Sequence, residues 1–256
     1  MPTSFCERLI ESFESRPDKT AMRIVGSDTD TYTWGDLLRQ VRSISYRLTQ
    51  EGVQFGDRVV LIGENHPHWA SAYLGTLFIG AVIVPLNTRL SVPELQFQLR
   101  DVGAKALLVG DGFEEQAQAL AAECPNLLVE QLDEAGGSLR HRAALLAPLE
   151  DAGRSDGDLA GVFYTGGTTG LPKGVMLTHR NLVSVANNLI MMIHFDPLCV
   201  NLHCAPMFHL ADIGLFSVTM TGGTHVFAQR IDPATILDLT TRHRATHVFT
   251  VPAVID

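Results

Sequence analysis

The residues best suited to chemistry are concentrated between positions 165 and 174. Four glycines (Gly166, Gly167, Gly170, Gly174), three threonines (Thr165, Thr168, Thr169) and Lys173 fall within these ten residues. Glycine lets backbone N–H groups come close to anionic oxygens, and threonine hydroxyls add donors. Lys173 brings a mobile positive charge that acts as a point and not as a planar fork. Directly ahead of them, the apolar run 159–164 predicts a buried strand. A strand opening into such a loop is suited to cradling the phosphates of a nucleotide. A mobile glycine linker explains neither the apolar strand before the loop nor the Pro172-Lys173 pair after it.

The spacing is not that of the P-loop G-x-x-x-x-G-K-[ST], where lysine follows the last glycine and precedes a hydroxyl. Here Leu171 and Pro172 separate Gly170 from Lys173, and Gly174 follows the lysine. A second segment with chemical content is Ala205-Pro-Met-Phe-His209, with His209 lying 36 residues after Lys173. Alone, His209 would read as a satisfied core histidine. Beside Phe208 and downstream of the glycine loop, it reads as a candidate hydrogen-bonding residue of a site.

Elements must hold these two segments. Phe5, Leu9 and Phe13 predict a first helix that stops before Pro17. Residues 21–25 and 29–33 predict two short strands around a turn at 26–28. Thr33-Trp-Gly-Asp36 and Ser91-Val-Pro-Glu94 predict capping boxes, each opening a helix. Further strands are predicted at 59–62, 81–84, 106–109, 127–129, 159–164, 199–205 and 247–251. Helices are predicted around Trp69, at 114–122, from Thr178 to about 193, and from Asp232-Pro233 onward. Strands alternating with helices of this length indicate βαβ units, an α/β chain with a mainly parallel sheet. The uncharged run 69–88 is long enough to test as a membrane span. Gly75, Gly80 and Pro85 interrupt it, and a core helix followed by a buried strand fits better. The acidic, turn-forming stretch 149–158 marks a boundary between a first part (1–158) and a second (159–256).

Bulk properties narrow the class. The chain has 256 residues, 46% hydrophobic and 18% charged, with net charge −9 and no basic run. A nucleic-acid partner is not expected, because binding phosphate backbones needs clustered cations. Four cysteines without framework spacing and the lack of a signal peptide fit a cytoplasmic setting. Cys199, His203, Cys204 and His209 lie close in sequence but match no common zinc spacing, so no metal ligands are assigned.

The segment Thr165-Gly-Gly-Thr-Thr-Gly-Leu-Pro-Lys173 resembles, nearly residue for residue, the phosphate loop of the acyl-adenylate-forming (AMP-binding) superfamily. That superfamily includes acyl-CoA synthetases, luciferases and peptide-synthetase adenylation domains. The departure is Gly166, where many members carry serine. Tyr32-Thr-Trp-Gly-Asp-Leu37, Gly80-Ala-Val-Ile-Val-Pro-Leu-Asn87 and Asp101-Val-Gly-Ala-Lys105 are similar to earlier segments of the family, in the same order. Pro206-Met-Phe-His209 is similar to the P-[LM]-F-H segment of acyl- and aryl-CoA synthetases.

The resemblance implies the large N-terminal domain of an adenylate-forming ligase, incomplete here and without the C-terminal domain. Its mainly parallel sheets would be flanked by helices, with residues 159–256 bearing the phosphate loop and the start of the acyl-site subdomain. It implies activation of a fatty or aryl carboxylic acid by ATP and Mg²⁺ to an acyl-adenylate, then transfer to coenzyme A. Thr165, Gly166, Gly167, Thr168, Thr169, Gly170 and Lys173 would hold the phosphates. Phe208 and His209 would line the place where the carboxylate meets the α-phosphate, with Lys173 and His209 as the catalytic groups. Asp212 leaves amino-acid adenylation open as an alternative. Family members run to about twice this length, so the isolated chain is expected to be inactive. A non-catalytic nucleotide-binding module and an inactive partial product are the other readings.

Overall fold

A computed structural model of the chain describes residues 5–25, 31–132, 156–166, 172–209, 214–228 and 232–250, without the side chains of Glu7 and Arg8. The described residues begin with α1 (Phe5–Ser15), β1 (Thr20–Ile24), β2 (Thr31–Thr33), α2 (Trp34–Gln50), β3 (Arg58–Ile62), α3 (Pro67–Phe78) and β4 (Val82–Pro85). They continue through α4 (Val92–Val102), β5 (Ala106–Gly110), α5 (Glu114–Ala121), β6 (Leu128–Leu132), β7 (Leu159–Thr165), β8 (Lys173–Thr178) and α6 (His179–Ile193). β9 (Val200–His203), α7 (Gly214–Thr221), β10 (Thr224–Phe227), α8 (Pro233–Arg242) and β11 (His247–Phe249) follow.

Two sheets result. One has the order β11-β9-β10-β1-β2, the other β6-β5-β3-β4-β7-β8. Both are parallel except for one antiparallel edge strand each, β2 against β1 and β8 against β7. The sequence pattern explains the layering. Along β3, Val59 and Leu61 face the large central core, while Val60 and Ile62 face a second cluster with Leu95, Leu99 and Leu120 of α4 and α5. A strand covered on both faces reads as one continuous apolar run, as parallel strands in α/β proteins do. In the five-stranded sheet, Phe227 belongs to the central core and Val226 to a cluster with Leu239 of α8.

The central core lies between the sheets and is filled by helices. α3 touches β1 of one sheet and β3 to β6 of the other, and each of its twelve residues is buried. This accounts for the apolar run 69–88. It forms a core helix and then a buried strand, as its Gly and Pro interruptions predict. Among the described residues no helix is long and apolar enough to cross a membrane. α3 comes close to α2 because Gly75 has no side chain. A Cβ there would lie 3.0 Å from Ile44, and Ser45 Oγ donates to the Gly75 carbonyl at 2.8 Å.

Both predicted capping boxes are present. Thr33 Oγ1 accepts from the Asp36 amide at 3.1 Å, and Asp36 accepts from the Thr33 amide at 2.8 Å. Glu94 accepts likewise from the Ser91 amide at 2.8 Å. Thr178 and Asp232 cap α6 and α8 as expected. Several boundaries differ by a residue or more, most at β6, which runs to Leu132, and at β9 and β11, which end at His203 and Phe249. β8 was not foreseen, because the sequence suggests a loop running directly into the helix capped by Thr178. Residues 26–28, 149–155, Val251, and Gly167, Thr168, Thr169 and Gly170 of the glycine loop lie outside the described residues.

Candidate functional site

The glycine loop joins two paired strands. β7 and β8 are in antiparallel register with Val162 opposite Met176, Tyr164 opposite Gly174 and Thr165 opposite Lys173. Thr165 and Lys173 therefore face each other at the mouth of the hairpin, with the loop strung between them. Thr165 Oγ1 donates to the Lys173 carbonyl at 3.4 Å, and the side chains of both residues are exposed. Beyond Thr165, a Cβ built on Gly166 meets nothing within 4 Å. A side chain could be added there without meeting any described atom. Gly174 is the opposite case: a Cβ there would sit 2.7 Å from Val162 Cγ1.

The base of the hairpin is fixed from two sides. Gly161 pairs with Ile83 of β4, and Ala160, Val162 and Phe163 are buried. Tyr164 donates through its hydroxyl to Asp101 Oδ2 at 2.5 Å and to the Gln98 carbonyl at 3.4 Å, tying the end of β7 to α4. Burial raises the Tyr164 phenol well above its usual value, and the Asp101 carboxylate adds to the rise. Tyr164 is thus a neutral donor at the rim of the site.

The second predicted segment leaves the end of β9. Its chain turns at Pro206, whose carbonyl accepts from the His209 amide at 3.1 Å. Phe208 is half-buried against the central core, and His209 is exposed. A cleft of about 170 Å³ receives both. Thr165, Gly166 and Pro172 of the hairpin line it together with Phe208 and His209. Pro85 at the end of β4 and Asn87 and Leu90 after it line it too, with Tyr164 and with Glu94 and Gln98 of α4.

The structure therefore brings Thr165, Gly166, Phe208 and His209 around one cavity, although they come from different sheets. Lys173 lies on the hairpin mouth opposite Thr165 but is not among the residues lining the cleft. Asn87, Glu94, Gln98 and Tyr164 were not singled out from the sequence. Asn87 ends the Gly80 to Asn87 segment, which was a usable signal; the helical pair Glu94 and Gln98 gave none. The donor set suits an anion on the hairpin side. The Thr165 hydroxyl and Gly166 face an imidazole and an aromatic ring across the cleft, with Lys173 opposite Thr165 at the hairpin mouth. Such an arrangement can hold two groups that must meet. Among the described residues, no three His, Cys, Asp or Glu side chains gather as metal ligands.

Comparison with known proteins bears on this geometry. The AMP-binding enzyme family matches residues 9–256. The feruloyl-CoA synthase of an Amycolatopsis species is 37% identical over 248 residues, covering 92% of this chain and 46% of its own length. The long-chain-fatty-acid–CoA ligase FadD13 of Mycobacterium tuberculosis is 33% identical over 217 residues, covering 82% and 42%. The chain thus spans a little under half the length of these relatives. The crystal structure of ATP-bound MatB from Rhodopseudomonas palustris superposes with a TM-score of 0.81 at 30% identity, covering 95% of this chain and 48% of that one. A family match over nearly the whole chain, on a fold it shares with an ATP-bound relative, makes this chain a member of the AMP-binding enzyme family.

Proposed function

We propose that the chain supplies the phosphate-binding and acyl-binding walls of an enzyme that activates a carboxylic acid. A carboxylate oxygen attacks the α-phosphorus of ATP and pyrophosphate leaves, giving an acyl-adenylate. The thiolate of coenzyme A then attacks the acyl carbon and AMP leaves. The observation that supports this reading most directly is the single cleft shared by Thr165 and Gly166 on one wall and Phe208 and His209 on the other.

Thr165, Gly166 and Lys173, with Gly167, Thr168, Thr169 and Gly170 of the loop, hold the β- and γ-phosphates. Mg²⁺ bound with the nucleotide neutralises part of their charge. The exposure of Thr165 and Gly166 fits that task. Lys173 offsets charge on the departing pyrophosphate. His209 donates to the acid or the adenylate at the acyl end, and Phe208 gives the acyl chain an apolar wall. The acid is aryl or fatty, since the similar proteins include a feruloyl-CoA synthase and a long-chain-fatty-acid–CoA ligase. Four free cysteines are consistent with a cytoplasmic setting.

The whole reaction is assigned to the complete enzyme, and the isolated chain is expected not to turn over. Acid-dependent exchange of labelled pyrophosphate into ATP tests this. The chain alone should be silent. Joined to the second half of the feruloyl-CoA synthase, it should exchange with ferulate or a long-chain acid, and His209→Ala should lower that rate at least tenfold. Exchange with an amino acid alone would overturn the acid class, and exchange by the isolated chain would overturn its incompleteness.

A further inference from the structure

Asn65 lies in the connection between β3 and α3, far in sequence from the predicted site segments. It is 6% exposed. Its side-chain amide donates to the His203 carbonyl at 3.2 Å and to the Ala205 carbonyl at 2.8 Å. Its Oδ1 accepts from the Met207 amide at 2.9 Å. These partners are all backbone atoms of the segment that leads from β9 into Phe208 and His209. His203 is the last residue of β9 to pair with β10 and β11, and its carbonyl also accepts from the Ala228 amide at 3.4 Å; the segment after it has left the strand ladder. Buried backbone groups released from a ladder need other partners. One asparagine provides them for the Ala205 carbonyl and the Met207 amide, and adds a second donor at the His203 carbonyl.

The location of Asn65 gives these bonds a consequence for the cleft. Asn65 follows the end of β3, and β3 is hydrogen-bonded to β4 with Leu61 opposite Pro85. β4 is in turn the neighbour of β7. Pro85 at the end of β4 and Asn87 after it, with Thr165 at the end of β7 and Gly166 after it, form one wall of the cleft. The segment that Asn65 holds forms the other. The amide thus ties the turn carrying Phe208 and His209 to the sheet carrying the phosphate-binding hairpin.

We infer that Asn65 is a positioning residue for the acyl end of the cleft, setting the register of Phe208 and His209 against Thr165 and Gly166. This rests on the proposed role of His209. An amide is needed at position 65 for a chemical reason. In a carboxylate of the same shape, the oxygen replacing the amide nitrogen would face two carbonyl oxygens with no proton to share, and alanine would leave both carbonyls and the Met207 amide without this partner.

The test uses the full chain with Asn65→Ala, Asn65→Asp and, as a reference, His209→Ala. Amide hydrogen exchange reads the clamp itself, independently of function. In Asn65→Ala, exchange at Met207 should quicken at least tenfold, while Val60 and Leu61 in β3 stay within threefold. Unchanged exchange at Met207 would overturn the inference. Binding of ferulate and of Mg-ATP reads the consequence. Asn65→Ala and Asn65→Asp should weaken ferulate at least tenfold, as His209→Ala does, and leave Mg-ATP within threefold. Equal loss of both ligands in the Asn65 variants would make Asn65 a general stabiliser and overturn the positioning role. Ferulate affinity that His209→Ala does not change, or no ferulate binding at all, counts against the acyl-end role of His209. The Met207 exchange rate still decides the clamp in that case. If Asn65→Ala does not fold, Asn65→Ser keeps one donor and supports the same comparisons.

Discussion

Gly166 and Gly174 flank the same loop but are glycines for different reasons. At Gly166 a Cβ meets nothing within 4 Å, so a serine hydroxyl could be added there without a clash. At Gly174 a Cβ would press to 2.7 Å on Val162 Cγ1, across the β7–β8 pair. Gly166→Ser should therefore leave the melting temperature unchanged within error. Gly174→Ala should destabilise by about 1–3 kcal/mol, the usual cost of overpacking, as read by denaturant titration. An equal loss in both would contradict the assignment of open and closed sides. The glycine loop and Phe208-His209 could be singled out as candidates from the sequence because they lie in short, chemically dense runs. Tyr164 with Asp101, and Asn65 with Met207, were not. Their hydrogen bonds join residues 63 and 142 positions apart, and no local pattern announces such a pairing.

At the scale of elements, local chemistry carried the helices. Thr33 and Asp36 satisfy each other's backbone amides, and Ser91 and Glu94 do the same at α4. Both helix starts are readable from a polar residue at the first position and an acid three residues on. Thr33→Ala should destabilise the chain by about 1 kcal/mol. The same change at Arg39, exposed on the next turn, should cost less than about 0.5 kcal/mol. Chemical denaturation of both variants checks the contrast, and equal effects would mean the cap contributes nothing particular. β8 shows what local chemistry misses. Its exposed residues include Val175 and Met176 in succession, so there is no period-two alternation to mark a strand. Its pairing with β7 makes it one, and that pairing sets Lys173 opposite Thr165.

At the scale of the molecule, the α/β class and the parallel bias followed from alternating strands and helices, but the assembly of the sheets did not. The five-stranded sheet sets β1 and β2, from the start of the chain, against β9, β10 and β11 from its last third. The six-stranded sheet inserts β4 between β3 and β7. Strand order of this kind depends on which faces must be buried between α3 and the two sheets, and a linear pattern does not encode it. The same assembly brings a hairpin mouth and a turn from different sheets to one cleft, on which the proposed function depends. The most direct test is calorimetric titration of the chain with Mg-ATP, repeated on Lys173→Ala. The account predicts saturable binding by the unsubstituted chain and at least tenfold weaker binding by Lys173→Ala, with melting temperatures unchanged. Equal affinity in the two, or no binding by either, would contradict the assignment of the hairpin loop as the phosphate site.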